Sequence, residues 1–336
     1  MLTLTQLAGG FEKLIARLPG PIRKPVEAEW RPLQELFLKR RAARVLVVGA
    51  PKSGTQAWLN QLFAFEPEKV ELRANGWCAY HRHGTLEFAI AETEAEGREA
   101  IEGAEPDLIL FRGARGKQKF ALLIGLHAVA RDRYFKPSPI VAVGEPAMLL
   151  MEELQRESAL KLAVGAVIDA SRREAILAAI AQTLPLEARL EFARVSGEKA
   201  AQMEIAAMLT RSASAVCTAI GAQPIPLADF PILTSLQLLM VAGIIHTTGR
   251  EWGGKLAREF LAALGANLGV GFLLREGARA AVKLLPGWGN AISGAVAGAG
   301  TYAIGRAATA FFIEGLPMDE ARRRFHFFKR KKRLPR

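Results

Sequence analysis

Short apolar runs alternate with segments of helical periodicity through the first half of the chain. Six runs of four to six residues have the length and composition of strands: residues 45–48, 77–81, 86–91, 108–111, 139–143 and 164–168. Apolar residues at helical spacing predict helices at 118–131 and 172–184. This alternation predicts an α/β fold over residues 44–184, with a doubly wound, mainly parallel sheet.

Both ends of the chain have helical patterns without strands. Apolar residues recur every three or four positions from Leu4 to Leu18, and a second helix is expected at about 24–41. From Ser196 the composition changes, since residues 212–249 carry Asp229 as their only formal charge, and helices are expected at 197–211, 233–245, 252–264 and the uncharged stretch 284–305. We therefore predict four parts, which are N-terminal helices at 1–43, an α/β domain at 44–190, an all-α hydrophobic domain at 196–315 and a basic tail at 316–336.

A glycine loop follows the first expected strand. Gly49 and Gly54 have the spacing of G-x-x-x-x-G-K-[ST], in which backbone N–H groups at a helix N-terminus bind phosphate. Thr55 and Gln56 stand where that sequence has the lysine and the hydroxyl that bind the β- and γ-phosphates and Mg²⁺. The sequence thus keeps the glycines of a phosphate-binding loop and lacks its cation.

The order of elements over residues 44–184 resembles the G domain of the Era-like GTPases. Without a gap, Leu59-Asn60-Gln61-Leu62 matches the L-N-x-L that follows the loop in that family, which makes Thr55 a replacement of the lysine. The resemblance implies a G-domain-like fold with GTP and Mg²⁺ as ligands. It also implies four further motifs, and each is altered here.

The altered motifs lie after successive strands. The connection at 65–76 contains no threonine for switch I, and Glu92-Thr93-Glu94-Ala95 replaces D-T-x-G. Gly144-Glu145-Pro146-Ala147 replaces the guanine-binding N-K-x-D, and Asp169-Ala170 replaces S-A. We expect 65–76 to be a polar connection and the acidic residues Glu92, Glu94 and Glu96 to lie in a solvated loop. The altered motifs together imply a pseudo-GTPase that binds no cofactor.

A divergent GTP-binding protein is the alternative, in which Lys52 supplies the phosphate-binding charge to GTP with Mg²⁺. The candidate nucleotide-binding residues are Gly49, Lys52, Gly54, Thr55, Gln56 and Glu92. The sequence gives no catalytic residue and no metal site, because Cys78 and Cys217 are far apart and His81 and His83 lack a nearby third ligand.

The second half resembles the helical domain of unknown function of YcjF-like proteins. The similar segments are IPLADFPILTSLQ at 225–237, LLPGWGN at 284–290 and AVAGAGTYAIGR at 295–306. In that family the domain often follows an Era-like G domain in bacterial inner-membrane proteins, so the resemblance implies a cytoplasmic protein that is peripheral to, or partly inserted in, the inner membrane. Gly265/Gly269 and Gly294/Gly298 have G-x-x-x-G spacing, which allows close helix packing in a bundle or in a membrane.

The net charge of the chain and the position of its basic residues indicate the kind of partner. The 45 Lys and Arg residues against 33 Asp and Glu give a formal net charge of +12, which indicates an anionic partner. Eight basic residues surround Phe325, Phe327 and Phe328: Arg322, Arg323, Arg324, Lys329, Arg330, Lys331, Lys332 and Arg333. Basic and aromatic residues together favour an anionic membrane surface over nucleic acid.

The function expected from these observations is that of a membrane-associated interaction or scaffold module. Its protein partner could itself be a working GTPase. Two alternatives stay open at this stage, an active GTP hydrolase and a nucleic-acid-binding protein that acts through the basic tail.

Overall fold

The computed structural model describes residues 4–18, 20–49, 51–66, 69–113, 117–222, 229–250, 254–266 and 289–326. The chain divides into two compact units, one formed by Arg41–Ala201 and the other by Met1–Arg40 together with Gln202–Arg336. The N-terminal helices are α1 (Leu4–Ala16) and α2 (Gly20–Leu38). They belong to the same unit as the helices of the second half, whereas the sequence pattern predicts them as a separate segment.

The unit Arg41–Ala201 is built on a seven-stranded sheet. Its strands are β1 (Ala43–Val48), β2 (Val70–Leu72), β3 (Trp77–His81), β4 (Thr85–Ala91), β5 (Leu108–Arg112), β6 (Ile140–Val143) and β7 (Val164–Ile168). They lie in the order β2–β3–β4–β1–β5–β6–β7. The pairs from β4 to β7 are parallel, while β2 and β3 run antiparallel to their neighbours. The α/β class and the mainly parallel sheet are confirmed.

Strand β2 corrects the prediction that residues 65–76 are only a connection. Its three residues pair with Tyr80, Ala79 and Cys78 of β3. Leu72 at its end is 83% exposed, so the strand has little apolar pattern that the sequence could reveal. Pairing with the neighbouring strand, rather than burial, makes this segment a strand.

Helices cover both faces of the sheet. They are α3 (Lys52–Phe63), α4 (Glu94–Gly103), α5 (Lys117–Tyr134), α6 (Ala147–Arg156), α7 (Arg173–Thr183) and α8 (Leu186–Ser196). Side chains of α4, α5 and α6 form one core with Leu46 and Val48 of β1. Helices α3, α7 and α8 contact the sheet outside that core, and Phe63 and Phe192 meet edge to face at 6.0 Å. A parallel sheet with helices on both faces is the doubly wound arrangement.

A buried carboxylate joins β1 to β5 at the amino end of the parallel strands. Asp107 is 7% exposed and accepts hydrogen bonds from Arg41 Nη1 and from the backbone N–H of Arg44, both at 2.8 Å. The hydrogen bond from Arg41 to the Asp107 carboxylate raises the pKa of Arg41. This network holds the amino ends of β1 and β5 together and does not involve the carboxyl ends of the strands.

The other unit is entirely helical in the residues that the structure describes. Besides α1 and α2 it contains α9 (Lys199–Gly221, from Gln202), α10 (Asp229–Thr247), α11 (Gly254–Ala266), α12 (Gly289–Phe312) and α13 (Met318–His326). None of the described helices is long and apolar enough to cross a membrane.

Small residues let α9 and α12 pack closely. A Cβ on Gly298 would lie 3.0 Å from the carbonyl oxygen of Ser214, and one on Gly294 would lie 2.7 Å from that of Thr218. The close packing expected from the Gly294/Gly298 spacing is therefore present within this unit. Gly269 of the second glycine pair lies outside the described residues.

Candidate functional site

The loop between β1 and α3 lies at the carboxyl edge of the parallel strands, where ligands bind in open α/β sheets. Gly49 has a φ of +110°, and a Cβ there would lie 2.7 Å from Cε2 of Phe111 and 2.8 Å from the carbonyl oxygen of Arg112. Both the backbone conformation and the packing against β5 require glycine. This glycine is explained without any phosphate.

Gly54 is different, because a Cβ at this position would make only an ordinary contact at 3.6 Å with Nη1 of Arg112. It lies in the first turn of α3, whose N-cap residue Pro51 provides no side-chain hydrogen bond. Lys52 begins α3, and its side chain lies outside the described part of the chain.

Thr55 and Gln56 stand where the phosphate-loop pattern has its lysine and its magnesium-binding hydroxyl, and both form contacts within the protein. Thr55 is 1% exposed, and its backbone N–H donates to the carbonyl oxygen of Pro51 at 2.8 Å. Gln56 donates from Nε2 to Oδ1 of Asn60 at 3.0 Å. Neither side chain provides a positive charge over the loop.

A cation that the sequence motifs did not identify lies beside this loop. The guanidinium carbon of Arg112, at the end of β5, is 5.2 Å from the centroid of the Trp58 ring on α3. Burial lowers the pKa of Arg112. Within the described residues no carboxylate forms an ion pair with it. The signal in the sequence is its place directly after an apolar run whose carboxyl end lies at the edge of a parallel sheet.

The end of β4 forms a helix N-terminus instead of the expected loop. Thr93 is the N-cap of α4, and Glu94 and Glu96 lie in the first helical turn. Glu96 Oε2 accepts from the backbone N–H of Glu92 at 2.9 Å and from that of Thr93 at 3.2 Å, while Thr93 Oγ1 accepts from the Glu96 N–H at 3.3 Å. The prediction of a solvated loop is wrong for Glu94 and Glu96, because T-E-A-E is a capping box. Glu92 remains exposed in the turn before the helix.

The segments that stand in place of N-K-x-D and S-A also form hydrogen bonds within the chain. The backbone N–H of Gly144 donates to the carbonyl oxygen of Ile168 at 3.1 Å, and Ala147 begins α6. Asp169 Oδ1 accepts from Oγ of Ser171 at 2.7 Å and from its backbone N–H at 3.1 Å. These bonds lower the pKa of Asp169.

A cleft of about 550 Å³ is lined by residues of β2, β3, β4 and α4, together with Gln56 of α3. Its walls combine apolar side chains of the sheet with polar groups of the two helices: Leu72, Cys78, Phe88, Ile90, Gln56, Glu96 and Glu99. Burial raises the pKa of the Cys78 thiol, so this thiol is less readily ionised than a free one. The described residues contain no group of three or more His, Cys, Asp or Glu side chains that could hold a metal ion.

The basic tail is only partly described. Arg323 is exposed on α13, whereas the side chains of Arg322 and Arg324 and all residues from 327 onward lie outside the described part. The predicted contacts of Lys329, Arg330, Lys331, Lys332 and Arg333 with an anionic partner fall in that part of the chain.

Comparison of the chain with protein-family models, with curated proteins and with solved structures finds no match in any of the three.

Proposed function

We propose that Arg41–Ala201 is a degenerate G-domain-like unit without nucleotide chemistry, and that the protein serves as an interaction or scaffold module at an anionic membrane surface. The resemblance to Era-like GTPases supplies the fold assignment. The mainly parallel sheet, the glycine loop between β1 and α3, and the turn between β4 and α4 agree with what the resemblance implies.

One observation carries the proposal: the polar side chains at this edge bond to the chain itself, and positions 55 and 56 supply neither the lysine nor the magnesium-binding hydroxyl. The carboxylate of Glu96 accepts hydrogen bonds from the two backbone N–H groups at the end of β4. Thr55 is buried and Gln56 is bonded to Asn60. A triphosphate with Mg²⁺ would find no lysine at position 55 and no magnesium-binding hydroxyl at position 56.

Equilibrium binding of fluorescent GTP with Mg²⁺ to the full chain tests this proposal. We expect no saturable binding at micromolar nucleotide, and no gain when GDP or ATP replaces GTP. Micromolar binding that is lost in Lys52→Ala and kept in the control Lys161→Ala would contradict the proposal. Lys161 is a suitable control because it is exposed and forms no ion pair within the described residues.

Arg112 is the observation that favours the alternative, a divergent GTP-binding protein. Its guanidinium lies beside Gly54 and is a candidate replacement for the missing lysine charge. If nucleotide binds, Arg112→Ala should abolish binding, whereas Arg156→Ala should not change it. Arg156 is exposed on α6 and forms no ion pair within the described residues.

The distribution of charge supports the membrane part of the proposal. Residues 41–201 contain 21 Lys and Arg and 21 Asp and Glu, so the whole formal excess of +12 belongs to the other unit. Nine basic residues lie within 322–336. Each can contribute roughly 1 kcal/mol of attraction near an anionic lipid surface.

Flotation with liposomes tests this part. The full chain should float with vesicles that contain phosphatidylglycerol and not with phosphatidylcholine alone, and a chain that ends at residue 321 should lose this difference. Retention on DNA or RNA that falls steeply with salt and disappears on the same truncation, without vesicle binding, would favour nucleic acid instead.

A further inference from the structure

Helix α6 presents apolar side chains on its outer side as well as its inner side. Leu150 and Leu154 are buried in the core against the sheet. Met148 is nevertheless 71% exposed, Met151 is 41% exposed and Leu149 is 37% exposed. Met148 and Met151 are three residues apart and so lie on the same side of the helix. We name Met148, Leu149 and Met151 the methionine surface.

Carboxylates flank the methionine surface. Glu145 and Glu152 are exposed and Glu153 is half-buried. Within the described residues, none of these three carboxylates forms an ion pair or accepts a hydrogen bond. Arg156 is also exposed on α6, so three carboxylates stand against one cation beside this surface. An apolar surface beside a net negative charge is complementary to a surface that combines apolar and basic side chains.

The methionine side chains and the carboxylates beside them indicate which kind of partner this surface would bind. Methionine side chains are flexible and polarisable, so they adapt to the apolar face of a helix. Exposed carboxylates beside them attract Lys and Arg on the flanks of the same helix. Leu162 and Phe135 are more exposed, yet each is a single apolar side chain, which is ordinary on a protein surface.

We propose that the methionine surface binds a basic amphipathic helix of a partner protein. The apolar side of that helix contacts Met148, Leu149 and Met151, and its Lys or Arg residues pair with Glu145, Glu152 and Glu153. This inference rests on the proposed role as an interaction module and adds the surface and the chemistry of the partner.

The test uses the full chain and a fluorescent 16-residue peptide with leucines at helical spacing and lysines elsewhere. Fluorescence anisotropy should show saturable binding. The double variant Met148→Ser/Met151→Ser should weaken binding about tenfold, since two apolar contacts are lost. The matched control Phe135→Ser/Leu162→Ser removes two exposed apolar side chains elsewhere and should leave the Kd unchanged within about twofold.

The charge part of the proposal has its own variants. Glu145→Gln/Glu152→Gln should weaken peptide binding roughly fivefold at low salt and should reduce its salt dependence, because exposed carboxylates act through screened attraction. A peptide with glutamate in place of every lysine should not bind. Equal binding of the acidic peptide, or of a scrambled peptide without an apolar face, would overturn the proposal.

A second readout does not depend on any variant. Bound peptide should protect Met148 and Met151 from oxidation by dilute hydrogen peroxide, as read by mass spectrometry of tryptic fragments. Oxidation of both methionines at the same rate with and without saturating peptide would overturn the proposal. So would tighter, Met148-dependent binding of a peptide that spans residues 316–336, because the occupant would then be the tail of this chain and not a partner protein.

The experiments distinguish failure of the docking surface from failure of the proposed function. The nucleotide titration on the same sample reports only on the loop between β1 and α3. A chain that binds neither GTP nor the basic peptide retains the pseudo-GTPase assignment and loses this docking surface. A chain that binds both loses the pseudo-GTPase assignment and keeps the surface.

Discussion

The loop after β1 and the turn after β4 lie side by side at the carboxyl edge of the sheet, yet different contacts hold their backbones. The loop keeps Gly49, and packing against Phe111 and Arg112 is sufficient to require it. The turn has no glycine, and the Glu96 carboxylate accepts hydrogen bonds from the backbone N–H groups of Glu92 and Thr93. Packing alone can therefore require a glycine in a loop of this kind, and the neighbouring turn is held by a side chain of its own helix.

The largest expected effect is a difference in the free energy of unfolding between alanine variants of the two loop glycines. Gly49→Ala should lower the free energy of unfolding by about 3 kcal/mol, because it combines a positive φ with contacts to β5 that are too short. Gly54→Ala should instead raise the free energy of unfolding by about 0.5 kcal/mol, since alanine is favoured over glycine inside a helix. Urea denaturation of both variants measures the difference. Equal destabilisation by the two substitutions would mean that Gly49 is not held by packing.

An intermediate effect should come from the turn. Glu96→Ala removes the acceptor for two backbone N–H groups and should lower the free energy of unfolding by about 1–2 kcal/mol. Glu99→Ala, three residues later on the same helix, should change it by less than about 0.5 kcal/mol, because Glu99 is exposed and forms no ion pair within the described residues. Thermal unfolding followed by circular dichroism compares the two. If both variants match the wild type, the capping box contributes nothing to stability.

The smallest effect concerns Asp169, after β7. Hydrogen bonds from Ser171 lower its pKa in the folded protein, so the stability they provide is present at neutral pH and is lost as the pH falls through that lowered pKa. Ser171→Ala should move the pKa of Asp169 up towards its ordinary value of about 3.9. NMR titration of the carboxyl carbon measures this change directly. An unchanged pKa in the variant would show that the hydroxyl does not stabilise the carboxylate.

The sequence predicted the parts of the fold that rest on long apolar patterns. All six expected strands are present, and the helices of the second half begin and end within a few residues of their predicted positions wherever the structure describes them, apart from the ends of the longest two. Strand β2 escaped prediction because it has three residues and little burial. Helix α6 escaped because residues 148–151 are all apolar, so no single face stands out in the sequence.

The sequence alone showed that the candidate site has no lysine at position 55. It did not show which groups lie beside the loop instead. Thr55 and Gln56 show in the sequence that these two positions hold neither a lysine nor a serine or threonine that follows it. Arg112 could not be placed beside Gly54 without the order of β1 and β5 in the sheet, because the two residues are far apart in the sequence. The capping box at Thr93 and Glu96 was visible in the sequence as T-x-x-E, but its effect on the end of β4 depends on the structure.

A crystal structure of the full chain grown with millimolar GTP and Mg²⁺ tests the central claim most directly. The account predicts that no nucleotide is bound over residues 49–56 and that Glu96 keeps its hydrogen bonds to the backbone N–H groups of Glu92 and Thr93. A triphosphate with Mg²⁺ bound beside Gly54 would contradict it.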